Sequence, residues 1–258
     1  MNYIGIDIGS TCAKTVVLNE KKELILEFVQ PTGWSSVDTA EEIHQKLELA
    51  GINLSDDSSC CVATGYGRIS VPYADKTVTE ITCHALGAVH LFQHPDLTVI
   101  DIGGQDTKII QIEQGFVKDF IMNDKCAAGT GRFLEVMANT LSLRPNEMFD
   151  LARLGSDTTI SSMCTVFAES EVIGLIGKGE PKENIAYAVV NSTIRKVAAQ
   201  VSRMNGEMST FCLTGGLCEC EYIREALSKE LGKEVISCPD ARYAGAIGAA
   251  LSAMKIRK

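Results

Sequence analysis

The sequence predicts an α/β fold built as two lobes, and three observations carry this prediction. Stretches with the alternating apolar pattern of strands, such as 3–8 and 60–64, are interleaved with stretches of helical period, such as 37–49 and 80–92. A segment near the N-terminus is repeated later in the chain. The chain has 258 residues, 45% of them hydrophobic, which suits one large domain or two compact lobes with a buried core.

Composition and charge exclude several classes of protein. The chain has 24 basic and 33 acidic side chains, and its net charge of −9 without a Lys/Arg block disfavours nucleic acid or an anionic membrane as the partner. No stretch approaches the roughly 18 uncharged apolar residues of a membrane span, and a strand begins at once without a basic leader. We therefore expect a cytoplasmic protein. Its ten cysteines should mostly be reduced, buried thiols, with one or two that act as ligands.

The repeated segment reads IDIGSTCAK at 6–14 and IDIGGQDTK at 100–108, an offset of 94 residues. In both copies an apolar strand precedes the glycine and another strand follows it, at 15–18 and 109–112. Each copy is therefore predicted to form a β-hairpin with a glycine in its turn and an aspartate near the end of its first strand. The duplication indicates two related lobes.

The remaining elements follow in order along the chain. Helix 80–92 ends before Pro95, which cannot continue it, so we place the first lobe at 1–95 and the second at 96–258. The second lobe is predicted to contain a strand at 116–122, helical periodicity at 133–141 and 185–201, a buried strand at 210–213 and an Ala/Gly-rich closing helix at about 244–254. That closing helix is able to pack back on the first lobe.

The two hairpins have the residues of a phosphate site. Glycine lets a backbone approach an anion closely, Ser10 and Thr11 add hydroxyl donors, and Lys14 adds positive charge. Asp7 and Asp101, at equivalent strand ends, are suited to hold a hydrated Mg²⁺ or to orient an attacking water across a cleft. A single hairpin of this kind is most often a structural turn, and the duplication favours the functional interpretation. The sequence contains neither a P-loop nor a G-x-G-x-x-G motif.

Several longer strings are specific enough to identify a family. They are IDIGGQD at 100–106, NDKCAAGTGRF at 123–133, CTVFAESE at 164–171, TGYGR at 64–68 and EITCHA at 80–85. With the two hairpins and the later Gly215-Gly216, the chain resembles the superfamily of actin, sugar kinases and heat-shock chaperones. Within that superfamily it is similar, along nearly its whole length, to the activators of 2-hydroxyacyl-CoA dehydratases, which are related to the ATP-binding subunits of benzoyl-CoA reductases.

This resemblance implies an actin-like ATPase fold, with two ribonuclease-H-like lobes and MgATP, or ADP, in the cleft between them. It implies that Asp7, Asp101 and Gln105 are catalytic. The nucleotide-binding residues it implies are Ser10, Thr11, Cys12, Ala13, Lys14, Gly103, Gly104, Gly215, Gly216 and Arg242. Two departures, Leu217-Cys218 where small residues are expected and Arg242 where a glutamine is expected, concern the adenosine contacts and leave the phosphate motifs intact.

In that family Cys126 and Cys164 correspond to the ligands of one [4Fe–4S] cluster shared by a homodimer. A cubane cluster usually takes four thiolates, and two chains with two cysteines each supply four. Each cysteine is followed by a helical stretch, and a helix N-terminus stabilises a thiolate. The alternative for an unpatterned cysteine is a buried thiol. The pair Cys218 and Cys220 is a weaker candidate for a metal or a reactive pair, because no second pair accompanies it.

The resemblance implies an ATPase coupled to electron transfer. The homodimer would receive one electron from reduced ferredoxin or flavodoxin and pass it to a dehydratase or a related reductase. Two other functions stay open from the residues: a small-molecule kinase of the same superfamily, in which Asp101 is the base, and a non-catalytic regulator that senses nucleotide. The kinase alternative gives no reason for the segments around Cys126 and Cys164.

Overall fold

The computed structural model describes residues 1–54, 57–161, 164–205 and 210–256, and it confirms the predicted α/β class. The strands are β1 Asn2–Ile8, β2 Cys12–Leu18, β3 Leu24–Pro31, β4 Ser59–Thr64, β5 Lys76–Thr77, β6 Leu97–Ile102, β7 Thr107–Glu113, β8 Phe116–Asn123, β9 Thr210–Gly215 and β10 Val235–Ile236. The α-helices are α1 Ser36–Leu49, α2 Glu80–Phe92, α3 Gly131–Thr140, α4 Pro145–Ala152, α5 Thr165–Gly177, α6 Lys182–Val201, α7 Glu221–Leu231 and α8 Ala244–Ile256. Two 3-10 helices cover Arg68–Ser70 and Pro239–Tyr243.

The strands form two five-stranded sheets with the same arrangement. The first has the order β3-β2-β1-β4-β5, and the second, taken from its other end, has the order β8-β7-β6-β9-β10. In each sheet the strand that carries the repeated aspartate is central, with its hairpin partner on one side and a later strand on the other. In the first sheet, β1 pairs antiparallel with β2 and parallel with β4. The repeat seen in the sequence is therefore also a repeat of sheet topology.

The contacts divide the chain into two compact units that are each discontinuous in sequence. The first unit comprises Met1–Leu97, Ile110–Lys118 and Asp240–Lys258, and the second comprises Thr98–Ile109 and Asp119–Pro239. The lobe boundary at residue 95 stays a prediction, because units defined by contacts need not coincide with the lobes of a fold. No helix in the described ranges is long and apolar enough to span a membrane.

Helices cover both faces of the first sheet. On one face Ile4, Ile6 and Ile8 of β1 pack with Ile43 and Leu47 of α1, and all five side chains are fully buried. On the other face Val16 and Leu18 of β2 pack with Ala246 and Ala250 of α8. The alternation of side chains along a strand places neighbouring residues on opposite faces, which explains why these apolar strands support two layers of helix.

Glycines allow α8 to approach β1 and α2 at backbone distance. A Cβ on Gly5 of β1 would lie 1.9 Å from the carbonyl oxygen of Ala246, and a Cβ on Gly248 would lie 1.7 Å from the carbonyl oxygen of Cys83. A Cβ on Gly87 of α2 would lie 1.9 Å from the carbonyl oxygen of Ala244. The Ala/Gly composition of the closing helix is therefore a packing requirement.

Replacement of Gly248 by alanine is expected to destabilise the protein by about 3 kcal/mol or more, because the new methyl group meets backbone that cannot move away as a side chain would. The free energy of unfolding, measured by denaturant titration, checks this. The matched control is Gly174→Ala in α5, where a Cβ meets nothing within 4 Å. Alanine there should be neutral or stabilise by about 0.5–1 kcal/mol, and equal stability of the two variants would contradict the packing argument.

Candidate functional site

The first hairpin forms a tight turn that leaves its hydroxyl groups exposed. Asp7 and Lys14 are paired in register across β1 and β2, and the N–H of Gly9 donates to the carbonyl of Cys12 at 3.1 Å. Ser10 and Thr11, at the tip, are exposed. Of the other predicted nucleotide-binding residues here, Cys12 and Lys14 are half-buried and Ala13 is buried, so Ala13 offers a ligand only its backbone.

The second hairpin repeats this turn at the equivalent positions. The N–H of Gly103 donates to the carbonyl of Asp106 at 2.9 Å, and Gln105 is exposed at the tip. The carbonyls of Gly103 and Gly104 accept from the N–H groups of Gly131 and Arg132, at 2.9 and 2.7 Å. The first N–H groups of a helix have no partner within the helix, and here the hairpin supplies two of the partners that α3 needs. The second turn is thus fixed to the start of α3.

The two repeated aspartates are both buried but have different neighbours. Asp7 is 4% exposed, and Nε2 of His84 in α2 lies 4.0 Å from its Oδ2. Gly245 at the start of α8 also lies against Asp7, since a Cβ there would be 2.5 Å from Oδ2. Asp101 is 2% exposed; its Oδ1 accepts from the Thr214 hydroxyl at 2.8 Å and its Oδ2 from Lys108 Nζ at 3.2 Å.

A threonine-glycine pair lies against each aspartate. Gly65, after β4, and Gly215, at the end of β9, have φ of 87° and 84°, a region that glycine enters without strain. A Cβ on Gly65 would lie 2.5 Å from Asp7 Oδ1, and a Cβ on Gly215 would lie 2.9 Å from Asp101 Oδ1. Only a residue without a side chain fits beside these carboxylates.

The same two segments bond to the strand that carries the aspartate. The N–H of Gly67 donates to the carbonyl of Ile8 at 2.8 Å, and the N–H of Gly216 donates to the carbonyl of Ile102 at 3.2 Å. The predicted adenosine segment Gly215-Gly216 is therefore joined to Asp101, and Gly65-Tyr66-Gly67 is its counterpart at Asp7. The sequence predicts Gly215-Gly216 as part of the site, but its equivalence to Gly65-Tyr66-Gly67 was not predicted. The signal for this equivalence, a Thr-Gly pair after a buried strand, occurs twice in the chain.

Arg242 lies in the 3-10 helix before α8 and is half-buried. Its charge acts on Glu27 of β3: burial and the nearby Asp240 raise the pKa of the Glu27 carboxyl, and Arg242 opposes this rise. By the contact-based division Arg242 belongs to the first unit and Gly215-Gly216 to the second. Its role toward the adenosine stays a prediction.

The two predicted cluster ligands are accessible thiols in different settings. Cys164 is exposed and immediately precedes α5 as its N-cap residue, at the helix end where the N–H groups of the first turn lack helical partners, although its side chain makes no cap hydrogen bond. Cys126 is half-buried in the loop between β8 and α3, four residues before Thr130, the N-cap of α3. The helix-terminus argument made for both cysteines therefore applies directly to Cys164 only.

The side-chain amide of Asn123 holds the Cys126 loop by donating to the carbonyls of Cys126 and Ala128, at 2.8 and 3.1 Å.

Most of the other cysteines are buried thiols, as predicted. The buried set is Cys60, Cys61, Cys83, Cys212 and Cys218. Burial raises the pKa of the Cys83 thiol to about 12 and also raises those of Cys61 and Cys212, so these sulfurs stay protonated. Within the described ranges no group of three or more His, Cys, Asp or Glu side chains is arranged to hold a metal ion.

Comparison with known proteins places this geometry among ATPases. A model of the BadF/BadG/BcrA/BcrD ATPase family matches residues 4–253. The chain is 44% identical to the (R)-2-hydroxyglutaryl-CoA dehydratase activating ATPase of Acidaminococcus fermentans, over 98% of this chain and 96% of that protein.

Solved structures agree with the sequence relatives. Component A of the Acidaminococcus fermentans (R)-2-hydroxyglutaryl-CoA dehydratase superimposes with a TM-score of 0.91 at 41% identity, covering 99% of this chain and 98% of that one. The activator of the 2-hydroxyisocaproyl-CoA dehydratase from Clostridium difficile, solved with bound ADPNP, gives 0.89 at 34% identity, covering 99% and 95%. A glucokinase of the ROK family from Streptomyces griseus gives 0.65 at 16% identity, covering 99% and 100%, a likeness of fold alone. The predicted actin-like ATPase fold is confirmed.

Proposed function

Because the chain belongs to the BadF/BadG/BcrA/BcrD ATPase family, we propose that it is an ATP-driven activator that passes one electron to a 2-hydroxyacyl-CoA dehydratase or a related reductase. The names of its relatives support the partner class, and the ADPNP-bound relative supports nucleotide binding. The identity of the acyl group is left open, since the relatives' names refer to more than one acyl-CoA.

In this proposal the two hairpins bind the phosphates of ATP. Ser10, Thr11 and Lys14 act from the first hairpin, and Gly103, Gly104 and Gln105 act from the second. Asp7 and Asp101 are hard oxygen ligands suited to a hydrated Mg²⁺, and within the described part of the chain the Asp7 carboxylate accepts no hydrogen bond that would compete. In hydrolysis the oxygen of the attacking water forms a bond to the γ-phosphorus. The bond between the γ-phosphorus and the bridging oxygen breaks, and ADP, phosphate and a proton are released.

Cys126 and Cys164 are suited to half of a [4Fe–4S] site, because Cys164 is exposed, Cys126 is half-buried, and two chains with two cysteines each would supply four thiolates. When bound, such a cluster would supply a one-electron carrier between reduced ferredoxin or flavodoxin and the partner enzyme. Cys164, at the N-terminus of α5, would stabilise the negative charge of its thiolate through the N–H groups of the first helical turn.

The helix that follows Cys164 supports a homodimer that shares the site. Only Ala168 and Val172 of α5 are buried, and its exposed apolar side chains include Val166, Phe167, Ile173 and Ile176. An exposed apolar patch on a helix is typical of a protein interface, and a second copy placed on it would bring a second Cys164 segment to the same interface. The proposal of a homodimer and the proposal of a shared cluster therefore depend on each other, since one chain supplies only two of the four ligands.

The observation that carries the coupling of ATP to this site is a chain of hydrogen bonds within the second unit. The hydroxyl of Thr107, next to the second turn, donates to the carbonyl of Gly129 at 2.6 Å, in the loop that contains Cys126. The turn itself bonds to the start of α3, and the hydroxyl of Thr140, at the end of α3, donates to Glu169 of α5 at 3.1 Å. A nucleotide that shifts the turn would therefore move both cysteine segments, and it can do so only by its different affinity for the two arrangements.

An anaerobic electron-transfer assay tests the function. Chemically reduced protein is mixed with oxidised (R)-2-hydroxyglutaryl-CoA dehydratase and either MgATP or MgADP; we expect the protein to be oxidised and the dehydratase to become active with MgATP only. Activation to the same extent with MgADP would contradict the proposal. Iron-free protein that phosphorylates a sugar or acid would favour the kinase alternative, and slow ATP turnover that ignores the redox state would favour the regulator.

A further inference from the structure

We propose that Lys108 is a positioning residue that fixes the Asp101 carboxylate for ATP hydrolysis, whereas Lys14, its counterpart in the repeat, contacts phosphate directly. The two lysines occupy the same position of the two hairpins, five residues after the turn glycine. The inference rests on the proposed function, because it assigns a role at the same nucleotide site. It goes beyond that function by separating two lysines that the repeat makes equivalent.

Lys108 is a buried ammonium bound by two carboxylates. Its side chain is 4% exposed, and Nζ lies 3.2 Å from Asp101 Oδ2 and 2.7 Å from Asp106 Oδ2. An ion removed from water is tolerated only where opposite charges and hydrogen bonds replace its hydration. Lys108 is therefore committed to these carboxylates and cannot turn outward to a phosphate without leaving both of them.

Lys14 has no such commitment. It is half-buried, and it makes no ion pair or hydrogen bond through its side chain with the residues that the structure describes. The acid that captures Lys108 is absent here, because the position equivalent to Asp106 is Cys12. A flexible lysine with an uncommitted ammonium, beside an exposed turn with two hydroxyl groups, suits the contact with an anion.

The consequence of the Lys108 pairing is that both oxygens of Asp101 are held. Oδ1 accepts from the Thr214 hydroxyl at 2.8 Å and Oδ2 from Lys108, so the plane of the carboxylate is set before any ligand arrives. The remaining lone pairs of these oxygens then point in fixed directions. Fixing a catalytic group in advance lowers the barrier of the chemical step more than it improves the binding of substrate.

The same substitution at the two equivalent lysines tests this division of labour. Lys108→Met is expected to lower kcat for ATP hydrolysis by about 100-fold while the Kd for ATP, measured by calorimetry, stays within about threefold. Lys14→Met is expected to weaken the Kd for ATP by about tenfold or more, since it removes a phosphate contact. Lys118→Met, which removes an exposed lysine of β8, is the control and should change neither quantity.

A second variant covers the case in which Lys108→Met fails to fold. The double variant Lys108→Met with Asp106→Asn removes the ammonium and one of its two carboxylates, so the net charge of the trio is unchanged at −1. It should fold, bind ATP as the wild type does, and keep the low kcat. A kcat within threefold of wild type in the folded double variant, or a loss of ATP affinity in Lys108→Met equal to that in Lys14→Met, would overturn the inference. If the proposed function itself is wrong, the wild type will fail the electron-transfer assay with MgATP, which is a different result from either of these.

Discussion

Serine at either Cys126 or Cys164 is expected to abolish the iron-dependent absorption of the anaerobically reconstituted protein. A serine hydroxyl stays protonated near neutral pH and is a poor replacement for a thiolate on iron. Each chain would supply only two ligands, so both cysteines are needed to hold the cluster. Because the dimer would share one cluster, each single substitution removes two of its four ligands. The expected loss is complete, and iron analysis together with visible absorption measures it.

The chain offers a close control for this experiment in Cys220. Like Cys164, it is the N-cap residue of a helix, here α7, and it is half-buried. Burial raises the pKa of the Cys220 thiol, so it is a neutral group in the folded protein. Cys220→Ser should keep full iron content and should not harm the helix, because serine is a favourable N-cap.

Iron stoichiometry decides whether the site is shared. The wild-type dimer should contain about four irons, or about two per chain, with the oligomeric state measured on the same sample. About four irons per chain would contradict the shared site, because one chain would then hold a whole cluster. Full iron content in both Cys126→Ser and Cys164→Ser would contradict the assignment of the ligands themselves.

The second large effect is expected from Asp101→Asn, which should slow ATP hydrolysis by about a thousandfold. The amide loses the negative charge that would bind Mg²⁺ or orient the water, and its NH₂ group replaces an oxygen that now accepts from Thr214 or Lys108. Phosphate release under saturating ATP measures the effect.

The iron content of Asp101→Asn should equal that of the wild type, because Asp101 is not a proposed ligand of the cluster. Asp119→Asn is the control: Asp119 is exposed on β8, and among the described residues its carboxylate accepts only from the adjacent N–H of Phe120. The turnover of this variant should match that of the wild type. Unchanged turnover in Asp101→Asn would remove this residue from the mechanism. Loss of iron together with turnover would instead point to misfolding.

Local pattern was sufficient to predict the elements that hold the site. The two hairpins and helices α1 and α2 follow from runs of residues close in sequence, and the structure has them within a few residues of the predicted bounds. The pattern of the sequence does not predict β3, α4 and α7. The strand β3 has only one buried residue and no clean alternation, α4 has eight residues, and α7 buries only Ile223 and Leu227, so none carries a strong periodic signal.

The partners of the site residues were harder to predict, because they depend on contacts between distant parts of the chain. Thr214 reaches Asp101 across 113 residues, and His84 lies beside Asp7 because α2 packs on α8, which in turn packs on β1. Lys108 is different, because Asp106 is only two residues away, immediately before β7. Asp106 lies two residues before Lys108, whereas Cys12 occupies the equivalent position before Lys14. This difference is a local signal that the two lysines have different roles.

The packing of Gly245 against Asp7 has a consequence for how the protein is made. A ribosome releases the chain from its N-terminus, and folding during synthesis usually follows that order. Here the surroundings of Asp7 stay incomplete until α8 has been synthesised, because Gly245 closes against its carboxylate and α8 covers one face of β1. The first hairpin would thus leave the ribosome early yet reach its finished form only after the whole second sheet has been translated.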